Sequence, residues 1–317
     1  MPNSSRIKPS LCVGICTYNR YNLLPFAVDS VLRQDTSGLE VSVVIVDNSP
    51  DALLAKDNSK RYENSPNVTY LYEPIPGLSN ARNVAASATQ ADIICYLDDD
   101  AVAHPGWLIS IAKAFQSFDN VGIVGGPIAP IWDAPRPEWL HDSLLGYLSV
   151  VDWGGELRLA SNEEWFAGAN IAFRRIAVLD SGGFDVSLGR IGSGASLLSN
   201  EETKLVKALK SSGYSAVYAA DAKVDHRVEG HRLTQTWFKR RVIWQSVSDY
   251  IATGDAVESH LNQKWQHVLR YLSSLTPEKR SFRGLFSECV SADQFRAQLD
   301  ALYDFNYVSL AGFSGVE

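Results

Sequence analysis

The sequence predicts an α/β fold, a mostly parallel sheet flanked by helices and followed by a helical region. Three observations carry that expectation. Strand-like apolar runs at 11–16, 41–46, 68–72 and 91–96 alternate with helical stretches in the order β-α-β-β-α-β, as in an open sheet. The run at 41–46 is almost uninterrupted valine and isoleucine, as expected of a strand covered on both faces. Thr17, Asp47 and Asp98-Asp99-Asp100 fall just past the ends of three such runs, where sheets of this kind bind ligands.

Composition narrows the function. With 317 residues, 45% hydrophobic and 10% aromatic, the chain can fill one large α/β core, with or without an appendage. A net charge of -7 argues against nucleic acid as the main partner. No run approaches the roughly 18 apolar residues of a transmembrane helix, and the polar residues 1–10 lack a signal peptide's apolar core. Cys12, Cys16, Cys95 and Cys289 make no metal-ligand spacing and read as buried, inert thiols of a reducing compartment. A cytoplasmic protein is expected.

Taken in order, the first strand ends in Thr17-Tyr18-Asn19-Arg20, and a helix over 22–33 follows with Asn22 as N-cap and Pro25 in its first turn. The second strand runs into the polar turn Asp47-Asn48-Ser49-Pro50. After the third, Gly77-Leu78-Ser79-Asn80-Ala81-Arg82-Asn83 opens an alanine-rich helix reaching 90, with Ser79 or Asn80 as cap. The fourth strand ends in Leu97-Asp98-Asp99-Asp100, and Pro105 starts a helix to 118 ahead of a strand at 121–126. Residues 127–165, with tryptophans at 132, 139, 153 and 165, form an irregular insertion. Most of these rings read as a satellite cluster over the sheet; an open one could stack on a sugar or an apolar acceptor. Gly168-Ala169-Asn170 leads into a strand at 171–173, and Gly182-Gly183-Phe184-Asp185 makes a turn. The Gly/Ser-rich segment 187–199 reads as a mobile loop feeding a helix over 200–212, closed by Gly213. Short strands at 214–220 and 222–224 precede His226. From 231 the pattern is helical and amphipathic, with Lys239-Arg240-Arg241 set among aromatic residues and a weakly structured tail after 306.

A buried strand ending in three carboxylates is hard to justify by stability, because like charges repel and unpaired burial costs several kcal/mol. A hard divalent cation with oxygen ligands resolves the conflict and would face a phosphate. The plainer alternative is a solvated acidic turn at a helix start.

Together these motifs, with Glu201-Glu202 and His226, occur in the order seen in inverting family 2 glycosyltransferases, and the resemblance spans residues 10–230. It implies a GT-A fold over 8–230, with a nucleotide-binding half at 8–103, an acceptor half at 104–230 and a helical region at 231–317. It also implies a nucleoside diphosphate sugar donor and Mg²⁺ or Mn²⁺. In the matching positions, Thr17, Asn19 and Arg20 resemble residues at the nucleotide entrance, Asp47 with Asn48 those at the base, and Arg82 one that helps hold the nucleotide. Asp98 resembles the aspartate near ribose and metal, Asp100 the metal ligand and His226 the late histidine completing that site. Asp99 joins the nucleotide set. Trp132, Trp165, Gly168 and Asn170 are assigned to the acceptor side.

Sugar transfer also needs a carboxylate to deprotonate an acceptor hydroxyl on the face opposite the leaving diphosphate. Glu201 and Glu202 can supply it, although the family usually has Glu-Asp here. Alternatively, Ser199 and Glu202 fit a capping box. Asp47 at a strand end suits a base with a ring N–H, which places UDP first and dTDP second, while guanine also offers such a donor. The acceptor is a glycan, a lipid-linked or a small molecule. The basic cluster at 239–241 admits peripheral contact with an anionic membrane at its inner face, or simply a solvated helix face. Two rival readings are a non-catalytic sugar-nucleotide-binding protein, which would not need Glu202, and a sugar-phosphate nucleotidyltransferase, which would carry a Gly-rich loop after the first strand. A Rossmann dehydrogenase is excluded because no G-x-G-x-x-G follows that strand.

Overall fold

Strands β1 (Ser10–Thr17), β2 (Glu40–Asp47), β3 (Val68–Tyr72) and β4 (Ile93–Tyr96) pair in parallel, with β1 between β2 and β4 and β3 outside β2. The computed structural model describes residues 9–192, 196–253 and 258–314. Between the strands run α1 (Leu24–Leu32), α2 (Ala52–Ser59) and α3 (Leu78–Ser87). Successive strand residues point to opposite faces, and the core divides accordingly. Leu11, Val13, Ile15, Val43, Ile45, Ile93 and Cys95 pack with Leu24, Ala27, Val28 and Val31 of α1. Cys12, Val44, Val46, Ile94 and Tyr96 pack with Ala81, Ala85 and Ala86 of α3 on the other side.

The chain continues through β5 (Ala101–Ala103), α4 (Trp107–Ser117), β6 (Val121–Gly125), β7 (Ile128–Trp132), β8 (Arg158–Leu159), β9 (Ile171–Arg174), α5 (Arg175–Asp180), α6 (Glu201–Ser211), β10 (Ser215–Tyr218) and β11 (Val224–Val228). The main sheet has the order β3-β2-β1-β4-β9-β6-β10-β8. Only β9 and β8 run against their neighbours, so it is mostly parallel. A second sheet, β5-β11-β7, has three strands.

Several local expectations need correction. Leu23 rather than Asn22 precedes α1 and makes no side-chain cap. Gly77, at a φ of 143° that disfavours side chains, precedes α3. The Ser79 hydroxyl instead donates to Leu188 O and Asn80 Nδ2 to Ile75 O. Helix α2, absent from the sequence reading, is capped by Asp51, whose carboxylate accepts from Leu53 N and Leu54 N. Part of the 187–199 segment, residues 193–195, lies outside the described residues, as do residues 1–8 of the polar N-terminus.

The chain divides into two units. The first comprises the described parts of 1–131, 149–193 and 201–227 and holds the main sheet. The second comprises the described parts of 132–148, 194–200 and 228–317. Its helices are α7 (Gln235–Thr253), α8 (Glu258–Ser274) and α9 (Ala292–Ser314), built on Tyr271, Leu275, Leu285, Ala301 and Leu302. Trp139 joins this unit edge-on against Phe238 and Phe295. The expected loose tail is instead helical to Ser314: Asn306 donates to Ser246 Oγ (2.6 Å), and Tyr307 packs on Tyr250 and Tyr303. Of the basic cluster only Arg240 is exposed; the other two charges are engaged within the unit. Lys239 is buried and donates to the carbonyls of Phe286 and Ser287 (3.0 and 2.7 Å), while Arg241 donates to Ser199 Oγ and lies over the Tyr147 ring. Among the described residues, no helix is long and apolar enough to cross a membrane.

Candidate active site

The three aspartates after β4 separate by their partners. β11 pairs antiparallel with β5, setting His226 opposite Ala101, and Arg227 N donates to Asp100 O (3.0 Å). That register carries a histidine from far along the chain to the aspartates. One ligand atom from each of Asp98, Asp100 and His226 lies within 4.8 Å of the others. His226 Nε2 is 3.2 Å from Asp100 Oδ1, and its buried Nδ1 has no hydrogen-bond partner among the described residues. Asp99 turns away from this trio. Its Oδ2 accepts from Thr17 Oγ1 (2.6 Å) and its Oδ1 from Arg20 (3.4 Å). Burial, reinforced by Asp100, pushes the Asp99 carboxyl above the ordinary range. Arg20 also pairs with Asp100. Two carboxylates and an imidazole brought this close fit a divalent cation such as Mn²⁺ or Mg²⁺.

At the ends of β1 and β2 the polar residues form a second group. Asp47 is fully buried; its Oδ2 accepts from Tyr21 (2.9 Å) and Tyr70 (2.6 Å) hydroxyls and its Oδ1 from Ser49 N. Asn48 clamps the 73–77 segment, donating to Glu73 O and Ile75 O and accepting from Gly77 N. Asn19 takes a left-handed φ of 56° and its N–H donates to Ser49 Oγ. Tyr21 and Tyr70, which the sequence reading passed over, therefore hold the carboxylate that it singled out. The register of β2 against β3, with Ile45 opposite Tyr70, is the signal that would have found Tyr70.

Arg82 is the centre of a third group. Its side chain is 2% exposed, and Nη1 donates to Glu201 Oε1 (3.0 Å) and Glu202 Oε1 (2.9 Å), while Nη2 lies 3.4 Å from Asp98 Oδ1. Burial alone would favour its neutral form, but Glu202, Glu201 and Asp98 outweigh that and keep it charged. Glu201 is buried, and burial followed by the Glu202 charge pushes its carboxyl well above the ordinary range. Glu202 is the more accessible of the pair, at 14% against 4%. Gly168 N donates to Glu202 Oε1 (3.0 Å). The capping-box pattern is not realised, since α6 begins at Glu201 with Asn200, not Ser199, before it, and Glu202 Oε1 is engaged by Arg82 and Gly168.

Gly168 belongs to this group for a steric reason. A Cβ there would lie 1.8 Å from Arg82 Nη2 and 2.4 Å from Glu202 Oε1. Gly168→Ala is therefore expected to cost about 1–3 kcal/mol by overpacking and to lower activity; an unchanged melting midpoint and turnover would contradict this contact. Asn170 is buried and committed to the fold, accepting from Trp107 Nε1 and donating to the carbonyls of Pro127 and Ala222. Trp165 packs edge-on against Trp153, whose Nε1 donates to its carbonyl. Trp132 falls in the second unit.

Comparison with known proteins settles the family. The profile of glycosyl transferase family 2 matches residues 12–181, just over half of the chain. The chain belongs to glycosyl transferase family 2. This glycosyltransferase is 26% identical over 238 residues to the glucosyl-dolichyl phosphate glucuronosyltransferase of Haloferax volcanii, covering 74% of this chain and 75% of the relative. It is 23% identical over 243 residues to the succinoglycan biosynthesis protein ExoM of Rhizobium meliloti, covering 76% and 73%. In structure it resembles the mannosyltransferase PcManGT of Pyrobaculum calidifontis, solved with GDP-Man and Mn²⁺. The TM-score is 0.59 at 19% identity, over 98% of this chain and 89% of that one. It also resembles GalNAc-T7, solved with UDP, GalNAc and Mn²⁺, with a TM-score of 0.57 at 16% identity over 92% and 56%. The family 2 enzyme thus has the GT-A fold that its motifs imply.

Proposed function

We propose that this glycosyltransferase moves a sugar from a nucleoside diphosphate donor, UDP favoured, to a hydroxyl of a glycan, lipid-linked or small-molecule acceptor, with inversion at the anomeric carbon. The observation that carries the proposal is the single guanidinium of Arg82 joining the Asp98 side of a cation-binding trio to an accessible carboxylate, Glu202. Asp98, Asp100 and His226 would hold Mn²⁺ or Mg²⁺, which supplies positive charge to the leaving diphosphate. Relatives in fold were solved with Mn²⁺ and a nucleotide or nucleotide sugar, which supports that assignment.

On the acceptor side Glu202 takes the proton of the attacking hydroxyl. The acceptor oxygen forms its bond to the anomeric carbon as the bond to the β-phosphate oxygen breaks, and the electron pair leaves with the diphosphate. Glu201, buried and inclined to hold a proton, supports Arg82 rather than serving as base. Thr17 and Arg20 hold Asp99 and Asp100 at the nucleotide rim. Asp47 accepts hydrogen bonds of the kind uracil N–H offers, with the half-buried Tyr21 as the donor that a base would replace.

Incubation with UDP-glucose, UDP-N-acetylglucosamine, UDP-glucuronic acid, dTDP-glucose and GDP-mannose, with Mn²⁺, tests the proposal. Slow release of nucleoside diphosphate from a UDP-sugar is expected. Pyrophosphate formation from a sugar phosphate and a nucleoside triphosphate would support a nucleotidyltransferase instead, binding without turnover a non-catalytic protein, and faster release from GDP-mannose would reverse the base preference.

A further inference from the structure

We infer that Arg82 is a positioning residue that fixes Glu202 as base by pinning one of its two carboxylate oxygens; this rests on the sugar-transfer reading above. Glu202 Oε1 accepts from Arg82 Nη1 (2.9 Å) and from Gly168 N (3.0 Å), while Oε2 takes no hydrogen bond from a described residue. Oε2 is therefore the oxygen left to accept a proton, and its direction is set by two buried donors. Gly168 leaves no spare volume, since even a methyl group would overlap the guanidinium.

Arg82 is itself enclosed by aromatic rings. Tyr96 OH donates to its carbonyl (2.9 Å), and the guanidinium carbon lies 5.9 Å from the centre of the Tyr96 ring and 5.5 Å from that of Phe184. Its Nη2 points to Asp98, so the same rigid fork sets the base at a fixed distance from the cation-binding trio. Among the described residues all of its side-chain hydrogen-bond partners are carboxylates, and 2% exposure leaves little of it for a donor phosphate. Holding the nucleotide, the role that the family resemblance implies for Arg82, would demand the opposite arrangement. A buried fork aimed at a base is a device for geometry, and displacing a reacting group by about 1 Å can cost about 10²-fold in rate.

The test is a double-mutant cycle of Arg82 and Glu202, read as donor hydrolysis with the most active sugar nucleotide of the panel, UDP affinity with Mn²⁺, and melting midpoint. Arg82→Gln leaves buried carboxylates without a counter-charge and can unfold the chain, so Arg82→Lys, which keeps the charge but loses the fork, is the main variant. Arg82→Lys is expected to lower kcat about 10–100-fold with UDP affinity and donor KM near wild type. Added to Glu202→Gln, it should cost almost nothing more. Independent, multiplying losses, or lost UDP affinity with kcat intact, would overturn the inference while leaving the sugar-transfer reading standing. A wild type that releases diphosphate from no donor would overturn both.

Discussion

Glu202→Gln is expected to lower sugar transfer about 10²–10⁴-fold, the usual contribution of a general base. Glutamine keeps a carbonyl oxygen that can accept from Arg82 Nη1 and Gly168 N, so the melting midpoint and nucleotide affinity should stay near wild type. The control is Glu201→Gln. Glu201 is buried beside the same guanidinium, and its raised carboxyl already tends to be neutral. Its amide should cost far less in turnover. Comparison of kcat, donor KM and melting for the two variants decides between them; the reverse pattern would make Glu201 the base and leave Glu202 as part of the support.

Replacement of Asp100 or His226, the cation ligands we propose, should be almost as severe. Asp100→Asn and His226→Ala are each expected to abolish the gain in UDP affinity on adding Mn²⁺, and to exceed the roughly 10–100-fold loss that removing even a supporting group brings. Asp99→Asn offers a contrast within the same motif. Asp99 faces Thr17 and Arg20 rather than His226, and its carboxyl is already raised by burial. It should retain most of the Mn²⁺ dependence. Calorimetric titration of UDP with and without Mn²⁺, and with excess chelator, measures all three. Equal Mn²⁺ dependence in Asp100→Asn and wild type would remove Asp100 from the site.

The parallel half of the sheet was legible because 11–16, 41–46 and 91–96 are apolar runs ended by polar residues, a pattern that burial on both faces imposes, while 68–72 is β-prone and forms the half-exposed edge strand. The pairing of β5 with β11 was not. A three-residue strand has too little periodicity to announce itself, and only its register explains why His226 reaches Asp100. The link from Arg82 to Glu201 and Glu202 spans 119 and 120 residues, and no local pattern encodes a contact of that range. Local pattern even misled at 199–202, where serine followed by glutamate has the form of a capping box. Arg82 and Gly168 compete successfully for Glu202 Oε1 there. The same contest explains Lys239: a basic run suggests solvent, but two carbonyls, Phe286 and Ser287, draw its ammonium inward.

Direct displacement from a nucleotide sugar, with a carboxylate facing the acceptor, fixes the stereochemistry of the product. The decisive measurement is proton NMR of the sugar released from an α-linked UDP-sugar, recorded faster than the free sugar mutarotates. The β-anomer is expected as first product, formed about 10²–10⁴-fold more slowly by Glu202→Gln. The α-anomer as first product from the wild-type enzyme would contradict direct displacement.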